Sequence, residues 1–370
     1  MLNSNGFLPR QYLQLLVLLL SAGIAMSGSV VKTLPGYSGD LPFTLETGYI
    51  GVGNTEDVQL FYYFVESQRS PAQDPVVLWL TGGPGCSTLL AFFYESGPLG
   101  FTYSDYNGSL PSLHLNPYTW TKGLNIIYVD APVGTGFSYS NTSEGYPSGD
   151  WMVEHPQFKT NQLYIGGDSY SGITVPLGYV LGNPKTDTYL DTNSRISFAY
   201  HLGLIPNDLY ENVKTSCNGD FVNVDSSNEQ CEYALLIIKE NYRHVLSGIW
   251  ANDKTVQEAL HIREGTKDQW KMCNSSLSYT QEFSSVIAYH QNFTQAELRA
   301  LIYSGDHDMS IPHIGTREWI RSFNMTLMDA WRAWFVDAQV AGLGGGHIAA
   351  EYKQKECAAM LDRWFAYYPL

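Results

Sequence analysis

The ten residues LYIGGDSYSG, at positions 163–172, carry the clearest structural signal in this sequence. The apolar residues 163–165 are followed by two glycines, and Ser169 comes next but one, among small residues. Small neighbours let a strand turn sharply into a helix and expose a nucleophilic serine, because neighbouring backbone passes close to the serine Cα. The run departs from the G-x-S-x-G pattern only at Ser171, which is still small. By itself it fits an ordinary glycine-rich turn equally well.

Four further apolar runs predict strands, and helical patterns lie between them. One run alternates around residues 61–64, and the other three are continuous apolar runs that each end close to Gly, Asp or Thr, as expected for strands that are buried on both faces. The strand runs are Leu60–Val65, Val76–Leu80, Ile126–Val129 and Leu301–Tyr303, and the helical patterns lie around Thr255–His261, Gln295–Leu298 and Lys355–Phe365. We therefore predict an α/β fold with a mostly parallel central sheet and helices on both faces. In such a sheet the reactive residues are expected on loops at the carboxyl ends of strands.

The composition excludes several classes of protein. The chain has 370 residues, of which 44% are hydrophobic and 15% charged, and this balance excludes intrinsic disorder. The formal net charge is −15 without a basic block, so we predict no nucleic-acid partner. Neither a repeat nor a break in composition marks a second domain. We predict a single domain over residues 30–370, in which a more polar insertion at about 186–271 caps the sheet.

The N-terminus has the layout of a secretory signal peptide. Arg10 precedes the apolar run Leu13–Leu20, and small residues follow at 27–29. The alternative is a membrane anchor, but the run is short for a span of about 20 residues. We predict a cleaved signal peptide over residues 1–29, no stable membrane anchor after its removal, and a vacuolar or extracellular location.

Two further features agree with secretion. Five Asn-x-Ser/Thr sequons are candidate glycosylation sites, namely Asn107, Asn141, Asn274, Asn292 and Asn324. Five cysteines also occur, so at least one is unpaired within the chain. Cys217 and Cys231 close a short loop that a disulfide could bridge.

Three other loops carry reactive residue types after apolar runs. In WLTGGPGCS, residues 79–87, consecutive glycines leave backbone N–H groups that can stabilise an oxyanion. A tight Gly/Pro loop is the equal alternative. LIYSGDHDMSIP, residues 301–312, offers Asp308 as a carboxylate that orients a histidine, and Asp306 is its rival. We favour Asp308 because this loop must reach across to the histidine. GLGGGHIAAEY, residues 342–352, supplies His347 just before the last helical pattern.

The chain order of these residues is that of nucleophile, acid and base in α/β-hydrolases. His347 would take the proton of Ser169, and Asp308 would fix the tautomer of His347 and stabilise its imidazolium. No ligand cluster such as H-E-x-x-H occurs, so we predict neither a metal nor another cofactor.

Taken together, five stretches resemble the serine carboxypeptidase family. They are WLTGGPGCS, IIYVDAPVGTGFSYS, YIGGDSYSG, LIYSGDHDMSIPHIGTREW and GGGHIAAEYKQKECAAML. The resemblance extends from about residue 35 to the C-terminus and implies an α/β-hydrolase fold with an insertion cap, in a secreted or vacuolar glycoprotein. It places Ser169, Asp308 and His347 at the triad positions and the N–H groups of Gly83 and Tyr170 in the oxyanion hole. It also implies the disulfides Cys86–Cys273 and Cys217–Cys231, with Cys357 as a thiol.

The resemblance also bears on the substrate. Family peptidases bind the terminal carboxylate of a peptide with two Glu and an Asn that precedes Gly-Gly-Pro. Here Thr81 replaces that Asn beside Gly82, Glu95 matches one Glu, and Asp168 replaces the other. These substitutions, and PHIGTREW, are similar to the plant acyltransferase branch, which moves an acyl group from a glucose ester to an alcohol or amine. We favour small-molecule acyl donors and acceptors over a peptide C-terminus, because the lost amide removes a donor to a carboxylate. We also expect Glu95 and Asp168 to share a proton at mildly acidic pH.

The chain departs from the family by being short. Segments usual in the family are missing between Asp150 and Trp151, near Lys239–Ile249, and before the glycines that precede His347. A sheet that lacks a strand beside its base is expected to position that base poorly, and an error of about 1 Å can reduce the rate about 100-fold. A shortened, catalytically weak secreted glycoprotein is therefore the alternative to an active enzyme.

Overall fold

The structure is a computed structural model. It describes residues 28–52, 56–102, 109–146, 163–174, 179–182, 184–201, 207–224, 228, 230–231, 235, 245–267, 269–281, 283–330, 332–342 and 344–368. Asn107, the expected gap at 150–151 and all but the last two residues of the predicted signal peptide lie outside these ranges. Ser29, the last residue that we assigned to the signal peptide, begins the first strand and pairs with Thr47.

The described residues form strands and short helices in the alternation that the apolar runs predict. The strands are β1 (Ser29–Val31), β2 (Leu45–Val52), β3 (Val58–Val65), β4 (Val76–Leu80), β5 (Leu99–Phe101), β6 (Leu113–Leu115), β7 (Asn125–Val129), β8 (Tyr139–Ser140), β9 (Leu163–Asp168), β10 (Tyr179–Gly182), β11 (Ala300–Tyr303), β12 (Trp334–Val336) and β13 (Gln339–Ala341). The helices are α1 (Ser171–Thr174), α2 (Thr188–His201), α3 (Asn207–Ser216), α4 (Val245–Ala251), α5 (Lys254–Ala259), α6 (Ile287–Gln295), α7 (His313–Ser322), α8 (Ala349–Tyr352) and α9 (Gln354–Phe365). A π-helical turn covers Ala91–Glu95, and 3-10 turns cover Trp120–Lys122 and Ser143–Gly145.

One sheet organises the molecule. Its described strands follow the order β1-β2-β3-β7-β4-β9-β10-β11, with β8 beside β3. The strands from β7 to β11 along this order are parallel, whereas β1, β2, β3 and β8 pair in antiparallel fashion. The carboxyl ends of β4, β9, β10 and β11 therefore meet at one edge, where the candidate loops also lie. The strands β5–β6 and β12–β13 form separate hairpins.

Strand β3, which contains the run Leu60–Val65, is buried on both faces of the sheet. In β3, Phe61 and Tyr63 belong to the larger core cluster, which also contains Phe92 and Trp250. The alternate residue Tyr62 packs in a second cluster on the opposite face of the sheet. Successive side chains of a strand point to opposite faces, so burial of both faces requires an unbroken apolar run.

The helical pattern predicted at Gln295–Leu298 is wrong. Helix α6 ends at Gln295, and Glu297 has a left-handed φ of 59°. The amide of Leu298 donates to Phe293 O at 3.1 Å, and that of Glu297 donates to Thr294 O at 3.1 Å. This pair of bonds is a Schellman motif, which closes a helix by satisfying its last carbonyl groups.

Helices α2 to α5 lie within the segment that we predicted as a cap, 186–271. Helix α2 packs against α7, which follows the loop with Asp308. The capping role of this segment remains a prediction.

Candidate active site

Ser169 occupies a strained turn between β9 and α1. Its φ is 52°, in the left-handed region that costs a residue with a Cβ about 1 kcal/mol or more. Backbone hydrogen bonds hold this conformation, since Ser169 N donates to Gly182 O at 3.0 Å and Lys185 N donates to Ser169 O at 2.7 Å. The residue is half-buried.

Two glycines allow the backbone to pass close to this turn. A Cβ on Gly82 would lie 2.6 Å from Ser169 Cβ and 2.6 Å from Tyr170 N. A Cβ on Gly167 would lie 2.5 Å from Leu80 O. Real Cβ atoms do not approach other atoms so closely, so both positions require glycine.

The structure brings Ser169, His347 and Asp308 together. His347 Nε2 lies 2.9 Å from Ser169 Oγ, and His347 Nδ1 lies 2.9 Å from Asp308 Oδ2. The Asp308 side chain has no solvent exposure, whereas that of His347 is 31% exposed. The other carboxylate oxygen of Asp308 accepts hydrogen bonds from Ser310 N at 2.6 Å and Ile311 N at 3.1 Å. These bonds fix the carboxylate so that one oxygen faces the imidazole.

The environment of His347 favours its protonated form. Burial alone would lower the pKa of His347, but the hydrogen bond and charge of Asp308, together with the charge of Asp168, raise the pKa above its ordinary value. The buried carboxylate can therefore stabilise an imidazolium when His347 accepts a proton.

The expectation that His347 would be poorly positioned is wrong, because both hydrogen bonds of its imidazole are 2.9 Å long. Asp306 helps to hold the loop that carries His347. Asp306 Oδ1 accepts the amides of Gly344 at 2.6 Å and Gly345 at 2.9 Å, and His307 N donates to Gly345 O at 2.8 Å. The loop after β11 thus binds the glycine loop directly. Asp306, the rival that we set aside, binds that loop, and it is Asp308 that contacts His347.

The glycine loop after β4 lies against the turn that contains Ser169. Gly83 is exposed and has a φ of 120°, and Gly82 contacts the backbone of Tyr170. The disulfide Cys86–Cys273, with Cα atoms 3.9 Å apart, closes the loop on a distant segment. Gly83 and Tyr170 are thus beside Ser169, and their role in an oxyanion hole remains a proposal.

The carboxyl groups of Glu95 and Asp168 are buried close to this turn. Burial, and next the charge of Asp168, raises the pKa of Glu95 well above its ordinary value. Burial raises the pKa of Asp168 to about 6, although the charge of His347 and hydrogen bonds from its own amide and that of Gly82 oppose the shift. Two such carboxyl groups cannot both ionise without a high electrostatic cost.

Several polar atoms at this position have no hydrogen-bond partner among the described residues. They are both oxygens of Glu95, Oδ1 of Asp168 and Oγ1 of Thr81. The sequence analysis missed Glu351 on α8, whose charge also raises the pKa of Glu95. It also missed Arg195 on α2, whose charge lowers the pKa of His347. Glu351 lies within the quoted stretch GLGGGHIAAEY, but nothing in the stretch gives it a role, and Arg195 lies in none of the quoted stretches.

The structure pairs Cys86 with Cys273 and Cys217 with Cys231 and leaves Cys357 as a buried thiol, which is the pairing that the resemblance implied.

Three of the predicted glycosylation sites, Asn141, Asn292 and Asn324, are exposed. Asn274 is half-buried, and its Nδ2 donates to Gly134 O at 3.1 Å. In the described ranges no three His, Cys, Asp or Glu side chains gather as they would around a metal ion. None of the described helices combines the length and apolarity that a membrane span requires.

Comparison with known proteins identifies the family. The family model described as serine carboxypeptidase matches residues 35–177, 177–244 and 237–367. This chain belongs to the serine carboxypeptidase family. Serine carboxypeptidase-like 13 of Arabidopsis thaliana is 41% identical over 429 residues, which cover 98% of this chain and 100% of that protein. Serine carboxypeptidase-like 8 of the same plant is 42% identical over 417 residues, with 93% of this chain and 96% of that protein covered.

A solved carboxypeptidase structure has the same fold. It is the prohormone-processing carboxypeptidase Kex1 from Saccharomyces cerevisiae, which superposes with a TM-score of 0.67 at 17% identity and covers 88% of this chain and 91% of its own. The likeness confirms the predicted α/β-hydrolase fold with its mostly parallel sheet.

This serine carboxypeptidase-like chain is shorter than its relatives. The alignment with serine carboxypeptidase-like 13 runs over 429 positions, whereas this chain has 370 residues. At least 59 positions of that alignment therefore have no residue of this chain. The family model matches in three separate parts, which meet at residue 177 and overlap at residues 237–244. The second division coincides with the shortening expected near Lys239–Ile249. The first lies eight residues after Ser169, where the sequence analysis expected none.

Proposed function

We propose that this chain is an acyl-transferring serine enzyme that works through Ser169, His347 and Asp308. One observation carries the proposal: the hydrogen bonds that link Ser169 Oγ to His347 and His347 to Asp308, each 2.9 Å long. In the tautomer that this network implies, Nδ1 of His347 donates to Asp308 and Nε2 accepts from Ser169.

The reaction proceeds in two halves. Ser169 Oγ forms a bond to the carbonyl carbon of the acyl donor while His347 Nε2 takes the hydroxyl proton. The carbonyl oxygen becomes an oxyanion next to the N–H groups of Gly83 and Tyr170. The bond to the leaving oxygen then breaks, and this oxygen takes the proton from His347, which leaves an ester on Ser169. An alcohol or amine acceptor next loses its proton to His347 and attacks the ester carbonyl carbon. The bond from that carbon to Ser169 Oγ then breaks, and Oγ takes the proton from His347, which restores the free serine.

We favour a glucose ester as donor and an alcohol or amine as acceptor. Peptide substrates are typical of the family, but Thr81 stands where family peptidases place an amide donor to the terminal carboxylate. The unpartnered oxygens of Glu95 and Asp168 suit a ligand that offers hydroxyl groups, such as a sugar. A serine-type carboxypeptidase that releases C-terminal residues is the alternative, and the same carboxyl pair supports it when one member is protonated.

The decisive experiment combines active-site labelling with two substrates. A fluorophosphonate probe labels only an activated serine, and we expect mass spectrometry to locate the label on Ser169. The Ser169→Ala variant should show no label and should lose nearly all turnover, since the oxyanion hole alone retains only a small part of the rate.

Unlabelled enzyme is then assayed with an acyl glucose ester plus an alcohol and, separately, with an N-blocked dipeptide. Faster ester transfer supports the transferase, and faster release of the C-terminal residue replaces it with the peptidase. Absence of label on the wild-type protein would leave the catalytically weak secreted glycoprotein as the function. Transit through the secretory pathway to the vacuole or cell exterior is part of this proposal, which the two disulfides support.

A further inference from the structure

Helix α2 contacts the turn that carries Asp308 and the segment that holds the turn of Ser169. It spans Thr188–His201 in the segment that we predicted as a cap. Asp191 and Arg195 are four residues apart, so their side chains lie on the same face of the helix. One of them binds the segment behind the nucleophile turn, and the other binds the turn that holds the acid.

Asp191 acts at the N-terminal end of the helix. The residue has no solvent exposure, and its Oδ2 accepts hydrogen bonds from Thr186 N at 2.7 Å and Asp187 N at 3.1 Å. The preceding residue, Lys185, donates its amide to Ser169 O at 2.7 Å. Asp191 therefore fixes the segment whose backbone holds Ser169.

Arg195 acts one helical turn later. Its Nε donates to Ser310 O, and the amide of Ser310 donates to Asp308 Oδ1 at 2.6 Å. A ring contact between Phe198 and His313, with centroids 5.4 Å apart, fastens the same helix to the start of α7. The guanidinium of Arg195 thus binds Ser310, and Ser310 in turn binds the carboxylate of Asp308.

We propose that Arg195 is a positioning residue of the active site, which aligns Asp308 with His347 through Ser310. This inference rests on the proposed function of the triad. It explains how the acid and base keep hydrogen-bond distance in a chain that lacks residues found in its relatives, because a helix outside the sheet supplies the support.

Arg195 also has an electrostatic effect that a purely structural bond would not have. Its positive charge lowers the pKa of His347, against the opposite effects of Asp308 and Asp168. Burial is the largest influence on Arg195 itself and lowers its pKa, while the charges of Asp308 and Asp191 raise it. Removal of the guanidinium is expected to displace the acid turn. Because the hydrogen bond and charge of Asp308 affect the pKa of His347 more than the charge of Arg195 does, their loss is expected to lower that pKa.

The test compares three substitutions. Arg195→Gln removes the charge and shortens the donor. Arg195→Lys keeps the charge but replaces the planar guanidinium by a single ammonium. Arg332→Gln is the matched control, because Arg332 is exposed and pairs with Asp329 at 3.0 Å on the surface.

The measurement is the second-order rate constant of fluorophosphonate labelling of Ser169 as a function of pH, with the unfolding temperature of each variant. For Arg195→Gln we expect the plateau rate to fall about 10- to 100-fold, as a misplacement of about 1 Å would cause, and the acid limb to move to lower pH because His347 loses its alignment with Asp308. Arg195→Lys should keep the acid limb of the wild type and lose less of the plateau. Arg332→Gln should match the wild type.

A wild-type plateau in either Arg195 variant would overturn the positioning role, and Arg195→Lys decides it if the Gln variant does not fold. Absence of label on wild-type Ser169 would refute the proposed function instead. In that case, NMR titration of His347 in the wild type and in Arg195→Lys still decides the inference. A weakened low-field Nδ1–H signal in the variant is expected, and an unchanged signal would overturn it.

Discussion

Gly82 offers the sharpest test of the packing around the nucleophile. It follows β4 and contacts the turn that contains Ser169. In a Gly82→Ala variant the new Cβ would lie 2.6 Å from Ser169 Cβ, 2.6 Å from Tyr170 N and 3.0 Å from Asp168 O. Two of these neighbours are backbone atoms, so rotation of a side chain cannot relieve the overlap.

The size of the effect follows from these distances. Ordinary van der Waals contact begins at 3.4 Å, so the two loops must separate by about 0.8 Å. A misplacement of about 1 Å in an active site can reduce a rate about 100-fold. We expect the labelling rate of Ser169 to fall about 10- to 100-fold and the free energy of unfolding to fall by about 1–3 kcal/mol.

The assay is fluorophosphonate labelling at the pH of maximal rate, together with urea unfolding. Gly248→Ala is the matched control, because Gly248 lies in α4 and a Cβ there would meet nothing within 4 Å. That variant should label at the wild-type rate and gain up to about 1 kcal/mol of stability, since alanine is the better helix former. If Gly82→Ala behaves like Gly248→Ala, Gly82 does not pack against Ser169 and the described geometry is wrong.

Three further predictions concern charge and sulfur. The pKa values of Glu95 and Asp168 are both raised, so the pair becomes doubly charged as pH rises and KM for an N-blocked dipeptide should increase from pH 5 to pH 8. Asp168→Asn should flatten this increase, and equal slopes of KM against pH in the wild type and the variant would refute a titrating pair. Burial raises the pKa of Asp191 from 3.8 to about 6, so folding binds its proton and stability is lost as pH rises through about 6. Relative to Asp191→Asn, the wild type should lose about 2 kcal/mol between pH 4 and pH 7 in urea unfolding, and a constant difference would contradict this. Non-reducing peptide mapping should recover Cys86–Cys273, Cys217–Cys231 and a free Cys357 thiol, and any disulfide to Cys357 would disprove the assignment.

Local sequence determined the elements of this protein well where burial imposes a repeating pattern. The run Val76–Leu80 coincides with β4, and Ile126–Val129 lies within β7, because strands buried on both faces leave no position for a polar residue. The sharp turn at Ser169 was also indicated, since only small residues fit where the backbone approaches Ser169, but the run by itself fitted an ordinary glycine-rich turn equally well. The helix pattern at Gln295–Leu298 failed, because the left-handed residue that ended the helix is Glu297 rather than a glycine.

Only the tertiary structure decided which groups act on one another. Asp306 and Asp308 are two residues apart in the same loop, and local sequence does not determine which side chain turns to His347 and which binds the glycine loop. The raised pKa values of Glu95 and Asp168 depend on burial, which residues far apart in the chain create together. Arg195 reaches the acid turn across 115 residues of sequence. Contacts of this kind depend on which elements pack together. A hydrophobic pattern shows which face of an element is buried, but it does not specify the element that covers that face.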